Sequence, residues 1–144
     1  MSPQLISFKA EHLAAFIHRD GDYVESVQSA IDKERRGPAF TACIDDKILG
    51  CSGIILQWAG VGSAWAVFSQ EIFKYPIWTT RTVRAALHDI MRVYKLHRVE
   101  MVILDGNNVN AGWATMLGFS RENGCSRHYT TNQRSIVRYE LVRD

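Results

Sequence analysis

A chain of 144 residues can bury a full core without disulfide or metal staples, so a single domain over residues 1–144 is the expectation. Its 47% hydrophobic and 22% charged residues exclude an intrinsically disordered chain, and a formal net charge of +2 is too small to draw nucleic acid by bulk electrostatics. No apolar stretch reaches the roughly 18 to 20 residues of a membrane helix, no basic-then-apolar leader opens the chain, and Cys43, Cys51 and Cys125 lack C-x-x-C spacing, which points to a cytoplasmic protein.

Residues 4–8 read as a short strand, after which Leu13, Phe16 and Ile17 recur at helical spacing. Asp22, with Glu25 three residues on, resembles a capping box for a helix whose apolar face is Val24, Val27 and Ile31, and Gly37-Pro38 stops it. Residues 40–44 and 48–58, joined through Asp45-Asp46-Lys47, predict an antiparallel hairpin. A turn at residues 60–62 leads into a third strand, 63–68. From Thr79 the period becomes helical, with Val83, Ala86, Leu87, Ile90, Met91 and Tyr94 in one stripe and Arg84, His88, Arg92 and Lys95 turned away.

The apolar character of residues 99–104 predicts a central strand covered on both faces, reached from 63–68 by a helical crossover and so parallel to it. Asn107 or Asn108 caps the next helix, with Val109, Trp113, Met116 and Leu117 on one face and Gly118 as the left-handed residue that ends it. Residues 126–131 and 135–143 read as two terminal strands, the second alternating Val137, Tyr139 and Leu141 against Arg138 and Glu140. The fold class is therefore α/β of the α+β kind, with no repeat or linker to mark a second domain.

This order of elements, over nearly the whole chain, resembles the GNAT superfamily of N-acetyltransferases. The most specific piece is residues 107–119, NNVNAGWATMLGF, in which an asparagine opens a helix and Leu-Gly-Phe closes it; Asn107, Leu117, Gly118 and Phe119 carry the likeness. The resemblance implies a mixed, mostly antiparallel sheet of about six or seven strands, with a central parallel pair and about four flanking helices. It also implies acetyl-coenzyme A as co-substrate, without a metal, and transfer of the acetyl group to a primary amine on a small molecule or a protein. In that family the pantetheine arm bonds the backbone of two splayed parallel strands, here 63–68 and 99–104. The pyrophosphate sits on N–H groups where the intervening helix starts. The positions implied as cofactor-binding are Phe68, Ser69, Lys74, Ile77, Thr79, Thr80 and Asn107.

The sequence departs from the family pattern in two places. The pyrophosphate loop there reads Gln or Arg, two residues, Gly, one residue, then Gly or Ala. Here the aligned run is Lys74-Tyr75-Pro76-Ile77-Trp78-Thr79: the cation is kept, and two β-branched residues replace the small ones. Side chains in those positions predict weak coenzyme A binding. Many members also carry a tyrosine four residues before the Leu-Gly-Phe glycine, acting as general acid; that position is Ala114. Residues 63–68 hold no Asp or Glu, so Glu71 and Asp105 are the nearest bases by position and no catalytic residue is assigned. These departures raise an alternative, a non-catalytic protein of the same fold that binds a partner or another ligand, as in degenerate GNAT-like proteins of tailed phages.

The remaining conspicuous residues read as structural. Thr79 and Thr80 are expected to cap their helix. Trp58, Trp65 and Trp113 are expected to pack, with Trp78 set apart by its place in the phosphate loop. His12, His18, His88, His97 and His128 have no metal-ligand spacing, and Arg127, Arg134, Arg138 and Arg143 form a solvated face.

Overall fold

In the computed structural model, which describes residues 3–16 and 27–143, the pattern of apolar runs and turn residues resolves into seven strands, three α-helices and two 3-10 helices. In chain order these are β1 (Gln4–Ser7), a 3-10 helix (Ala10–Phe16), α1 (Val27–Arg35), β2 (Ala39–Ile44), β3 (Lys47–Trp58) and β4 (Val61–Phe68). A second 3-10 helix (Gln70–Lys74), α2 (Pro76–Val93), β5 (Arg98–Leu104), α3 (Asn108–Met116), β6 (Ser120–Arg121) and β7 (Ile136–Val142) follow. The sheet order is β1-β2-β3-β4-β5-β7-β6. β1 with β2, β2 with β3, β5 with β7 and β6 with β7 pair antiparallel and β4 with β5 pairs parallel, the mixed sheet with a parallel pair expected from sequence. Asp22, Glu25, Val24 and Ile17, assigned to early helices, lie outside the described residues.

The contacts divide the chain into two units, the first made of residues up to Leu56 together with Ala64–Arg81. In it β2 and β3 form the expected hairpin, turning on Asp45 and Asp46. Asp45 adopts φ 53°, a left-handed conformation that a short polar side chain tolerates. Gly53 is required by proximity: a Cβ there would stand 2.6 Å from the carbonyl of Pro38 and from the side chain of Ala39. Two apolar clusters fill this unit. Phe8, Leu13, Ala30 and Cys51 form one, with Trp65 and Val67 packed against it; Ala42, Leu49 and Ile72 form the other, with Phe68, Tyr75 and Trp78.

The second unit comprises Gln57–Ser63 and Thr82–Asp144. Here the first residues of β4 pair with those of β5, Val61 with Arg98, Gly62 with Val99 and Ser63 with Glu100, while β5 pairs along its length with β7. Val99, Ile103, Ile136, Val137 and Tyr139 are buried. The expectation that residues 99–104 are covered on both faces is corrected by alternation. Arg98, Glu100 and Val102 share a face, Val102 is 47% exposed, and the Arg98 guanidinium binds Glu100, Glu122 and Glu140 there. These hydrogen bonds, to Glu122 first, raise the Arg98 pKa above its ordinary value.

Two further expectations change. Ala114 on α3 and Leu117 at its C-terminal cap are buried, while Val109 and Met116 are exposed, so the apolar face is narrower than the sequence suggests. Residues 126–131 do not form a strand. They make one isolated bridge, Ser126 to Ile136, because His128 (φ 53°) and Gln133 (φ 63°) turn the chain, and the partner of β7 is instead the two-residue β6. Gly118, at φ 101°, ends α3 as expected.

Candidate functional site

The stretch from the end of β4 into α2 is built by a few tight anchors. Ser69 follows the strand, and both its amide (2.9 Å) and its hydroxyl (3.0 Å) donate to the Leu49 carbonyl, pinning the strand end. The 3-10 helix then buries Ile72 and leaves Phe73 and Lys74 exposed. Tyr75 donates to the Ile72 carbonyl at 3.0 Å and accepts from the Thr79 amide at 2.9 Å, which makes Tyr75 the residue that opens α2.

Pro76 then occupies the first helical position, where its fixed φ is favourable and its missing N–H costs nothing. The helix therefore begins at Pro76, three residues before the Thr79 start expected from periodicity. This relocates the free donors. The Thr79 amide is spent on Tyr75, and at the fifth helical position Thr80 falls within the repeating ladder. The amides of Ile77 and Trp78 find no acceptor among the described residues, and tyrosine at the cap supplies no side-chain oxygen for them.

The side chains expected to crowd this loop point elsewhere. Thr79 is 3% exposed, with its Oγ1 buried and without a hydrogen-bond partner, so it is an interior residue and not the helix cap. Ile77 is 70% exposed. Phe68 is half-buried against Ala42, Leu49 and Ile72. Thus Phe68, Ser69, Lys74, Ile77, Thr79 and Thr80 lie along one continuous stretch of the first unit. Asn107 belongs to the second unit, where its Oδ1 accepts from the Asn110 amide at 3.1 Å and caps α3. Sequence reasoning missed the Trp78 amide, although the signal was present: a proline one residue past a tyrosine marks a helix start.

The acid–base candidates are placed as follows. Glu71 accepts a hydrogen bond from Lys47, and that bond, reinforced by the charges of Lys47 and Lys74, holds its carboxyl below the ordinary glutamate value, which makes it a weaker proton acceptor. Asp105 is exposed. Ala114 is 1% exposed in the interior, offering no group at the position where the resemblance expects a tyrosine. Among the described residues no group of His, Cys, Asp and Glu could hold a metal ion, and no helix is long and apolar enough to cross a membrane.

No family model and no curated protein matches the chain in sequence. Solved structures do match. A GNAT-family acetyltransferase from Streptococcus pneumoniae superposes with a TM-score of 0.78 at 12% identity, over 99% of this chain and 100% of that one. The ribosomal-protein-S18-alanine N-acetyltransferase of Escherichia coli gives 0.79 at 11% identity, over 98% and 94%. Spermidine N-acetyltransferase from Vibrio cholerae, solved with CoA and spermine, gives 0.73 at 12%, over 97% and 95%. At such identities the likeness carries the architecture, and with the parallel β4–β5 pair it establishes that this chain has the fold of the GNAT acetyltransferases.

Proposed function

We propose that the chain transfers an acetyl group from acetyl-coenzyme A to a primary amine, on a small molecule or a protein, in the cytoplasm. The observation that carries this reading is the pair of unspent donors, the Ile77 and Trp78 amides, at the start of an 18-residue helix. Two adjacent backbone N–H groups at the positive end of a helix macrodipole suit a diphosphate. Lys74, exposed just before them, and Arg81, exposed one turn later, add cationic charge. With its hydroxyl and amide both bound to Leu49, Ser69 fixes where the strand ends relative to that helix start.

The chain's contribution to the chemistry is position. In the transfer a C–N bond forms as the thioester C–S bond breaks, and the proton lost by the amine balances the one the thiolate takes up. Holding the two reactants together supplies much of the acceleration without a dedicated side chain. The second reading, a partner-binding protein of the same fold, is favoured by the interior placement of Ala114 and the engagement of Glu71 by Lys47. Thiol release from acetyl-coenzyme A, followed against a panel of primary amines, separates the two. Amine-dependent release supports transfer; coenzyme A binding without release by any amine supports the second reading.

A further inference from the structure

The first 3-10 helix, Ala10–Phe16, starts on a reciprocal pair of hydrogen bonds. The His12 amide donates to the Lys9 carbonyl at 2.9 Å, and the Lys9 amide donates back to His12 Nδ1 at 3.1 Å. This is the arrangement of a capping box, in which the third helical residue reaches back to the amide of the residue before the helix. The usual third residue is Glu or Gln, whose oxygen accepts throughout the neutral pH range. Here it is an imidazole, which accepts at Nδ1 only while that nitrogen is unprotonated.

The same nitrogen also faces the sheet. Thr41 Oγ1, on β2, lies 2.7 Å from Nδ1, and Cys51 Sγ, on β3, lies 3.6 Å from Thr41 Oγ1; both residues are buried. Because the Lys9 N–H points at Nδ1, that nitrogen carries a lone pair and the ring proton sits on Nε2. The Thr41 hydroxyl therefore donates to the ring and is left to accept from the Cys51 thiol. A proton added to Nδ1 sets the two partners apart. The hydroxyl can turn round, accept from the imidazolium and donate to the sulfur. The Lys9 amide has no such freedom: N–H then faces N–H, and its bond is lost.

We infer that His12 is a pH-sensitive latch on the turn between β1 and the 3-10 helix. Neutral, it holds the Lys9 amide and closes the turn; protonated, it releases that amide while staying on the sheet through Thr41. The charged groups around it are few. Lys9 and Glu11 are exposed beside it, and on α1 Glu34 accepts from the Ala10 amide at 2.7 Å while the Lys33 ammonium lies over the Trp65 ring. Asp32 and Arg35 complete the charges of α1. β2 and β3 bring the thiols of Cys43 and Cys51, with Lys47 at the far end of β3 bound to Glu71, and β1 and β4 carry no ionisable side chain. An imidazole is the side chain whose ordinary titration falls between about pH 5 and 8, apart from carboxylates and amines, so mild acid acts on the latch and spares the Glu34 cap.

The experiment follows amide hydrogen exchange in the ¹⁵N-labelled full chain from neutral pH into mild acid, each rate taken relative to that of an unstructured peptide at the same pH. Protection of the Lys9 amide should fall about tenfold, as expected for one hydrogen bond, with the same midpoint as the His12 ring resonances. The Ile54 amide, bonded to the Pro38 carbonyl in the same unit, should keep its protection throughout. In His12→Gln, whose side-chain oxygen accepts without titrating, the Lys9 amide should stay protected across the range, and in His12→Ala it should be unprotected across it. Lys9 protection that is independent of pH in the native chain overturns the inference, as does an equal pH dependence in His12→Gln. A loss shared by Ile54 also overturns it, because that marks general unfolding. The native-chain titration decides by itself if a variant does not fold.

Discussion

Glu71 illustrates how a single contact reassigns a residue. Its position after β4 made it a base in prospect, but the Lys47 ammonium from the first residue of β3 donates to it and lowers its pKa. The sign of the consequence follows. A carboxyl with a depressed folded pKa adds stability above the unfolded value and loses it as pH falls through the folded one. Glu71→Gln should therefore unfold slightly more readily than the native chain at neutral pH, and the difference should vanish in acid. Urea midpoints measured across that range check it, and a gap that persists or widens in acid contradicts the pairing. The Lys47–Glu71 contact could not be read from sequence, because it joins residues 24 apart across β3 and β4. Thr79 was misread for a related reason: its hydroxyl suits a cap, yet a proline three residues earlier had already begun the helix and turned Thr79 inward.

At the scale of elements, α2 was legible because its apolar stripe runs through several turns, and Leu87, Ile90 and Met91 are buried as their spacing predicts. Leu87→Ala should cost about 2 to 5 kcal/mol, read as a shift in the denaturation midpoint, and a midpoint that hardly moves would place this face outside the core. The stripe ended early: Tyr94 lies past the helix end and is exposed. β5 shows the limit of counting apolar residues. Glu100 signals a polar face, and Arg98 two residues earlier satisfies it, so alternation was the better guide than hydrophobicity. The terminal segment failed differently. Residues 126–131 carry strand-like composition, but the chain turns at the left-handed residues His128 and Gln133, with the Tyr129 and Thr130 amides donating to the Arg134 carbonyl and the Gln133 amide to that of Thr130, leaving β6 at Ser120–Arg121 to pair with β7.

For the molecule as a whole, the order of elements was the most readable property. Hairpin patterns, one long crossover helix and the Leu-Gly-Phe turn leave few topologies, and the parallel β4–β5 pair is the one they imply. The site was less readable, because phosphate recognition by backbone depends on which amides the helix leaves unspent, and that shifts with the helix start. Judged by side chains, Ile77 and Thr79 predict weak coenzyme A binding. Judged by donors, the exposed Ile77 side chain and the interior Thr79 leave the Ile77 and Trp78 amides available. Two charge-assisted bonds at about 1.5 to 3 kcal/mol each are worth roughly two to four orders of magnitude in affinity, the difference between micromolar and millimolar or worse. Calorimetric titration of the full chain with coenzyme A tests this account most directly. Low-micromolar affinity that weakens with added salt and with Lys74→Ala is the predicted result, and no binding at millimolar ligand would contradict it.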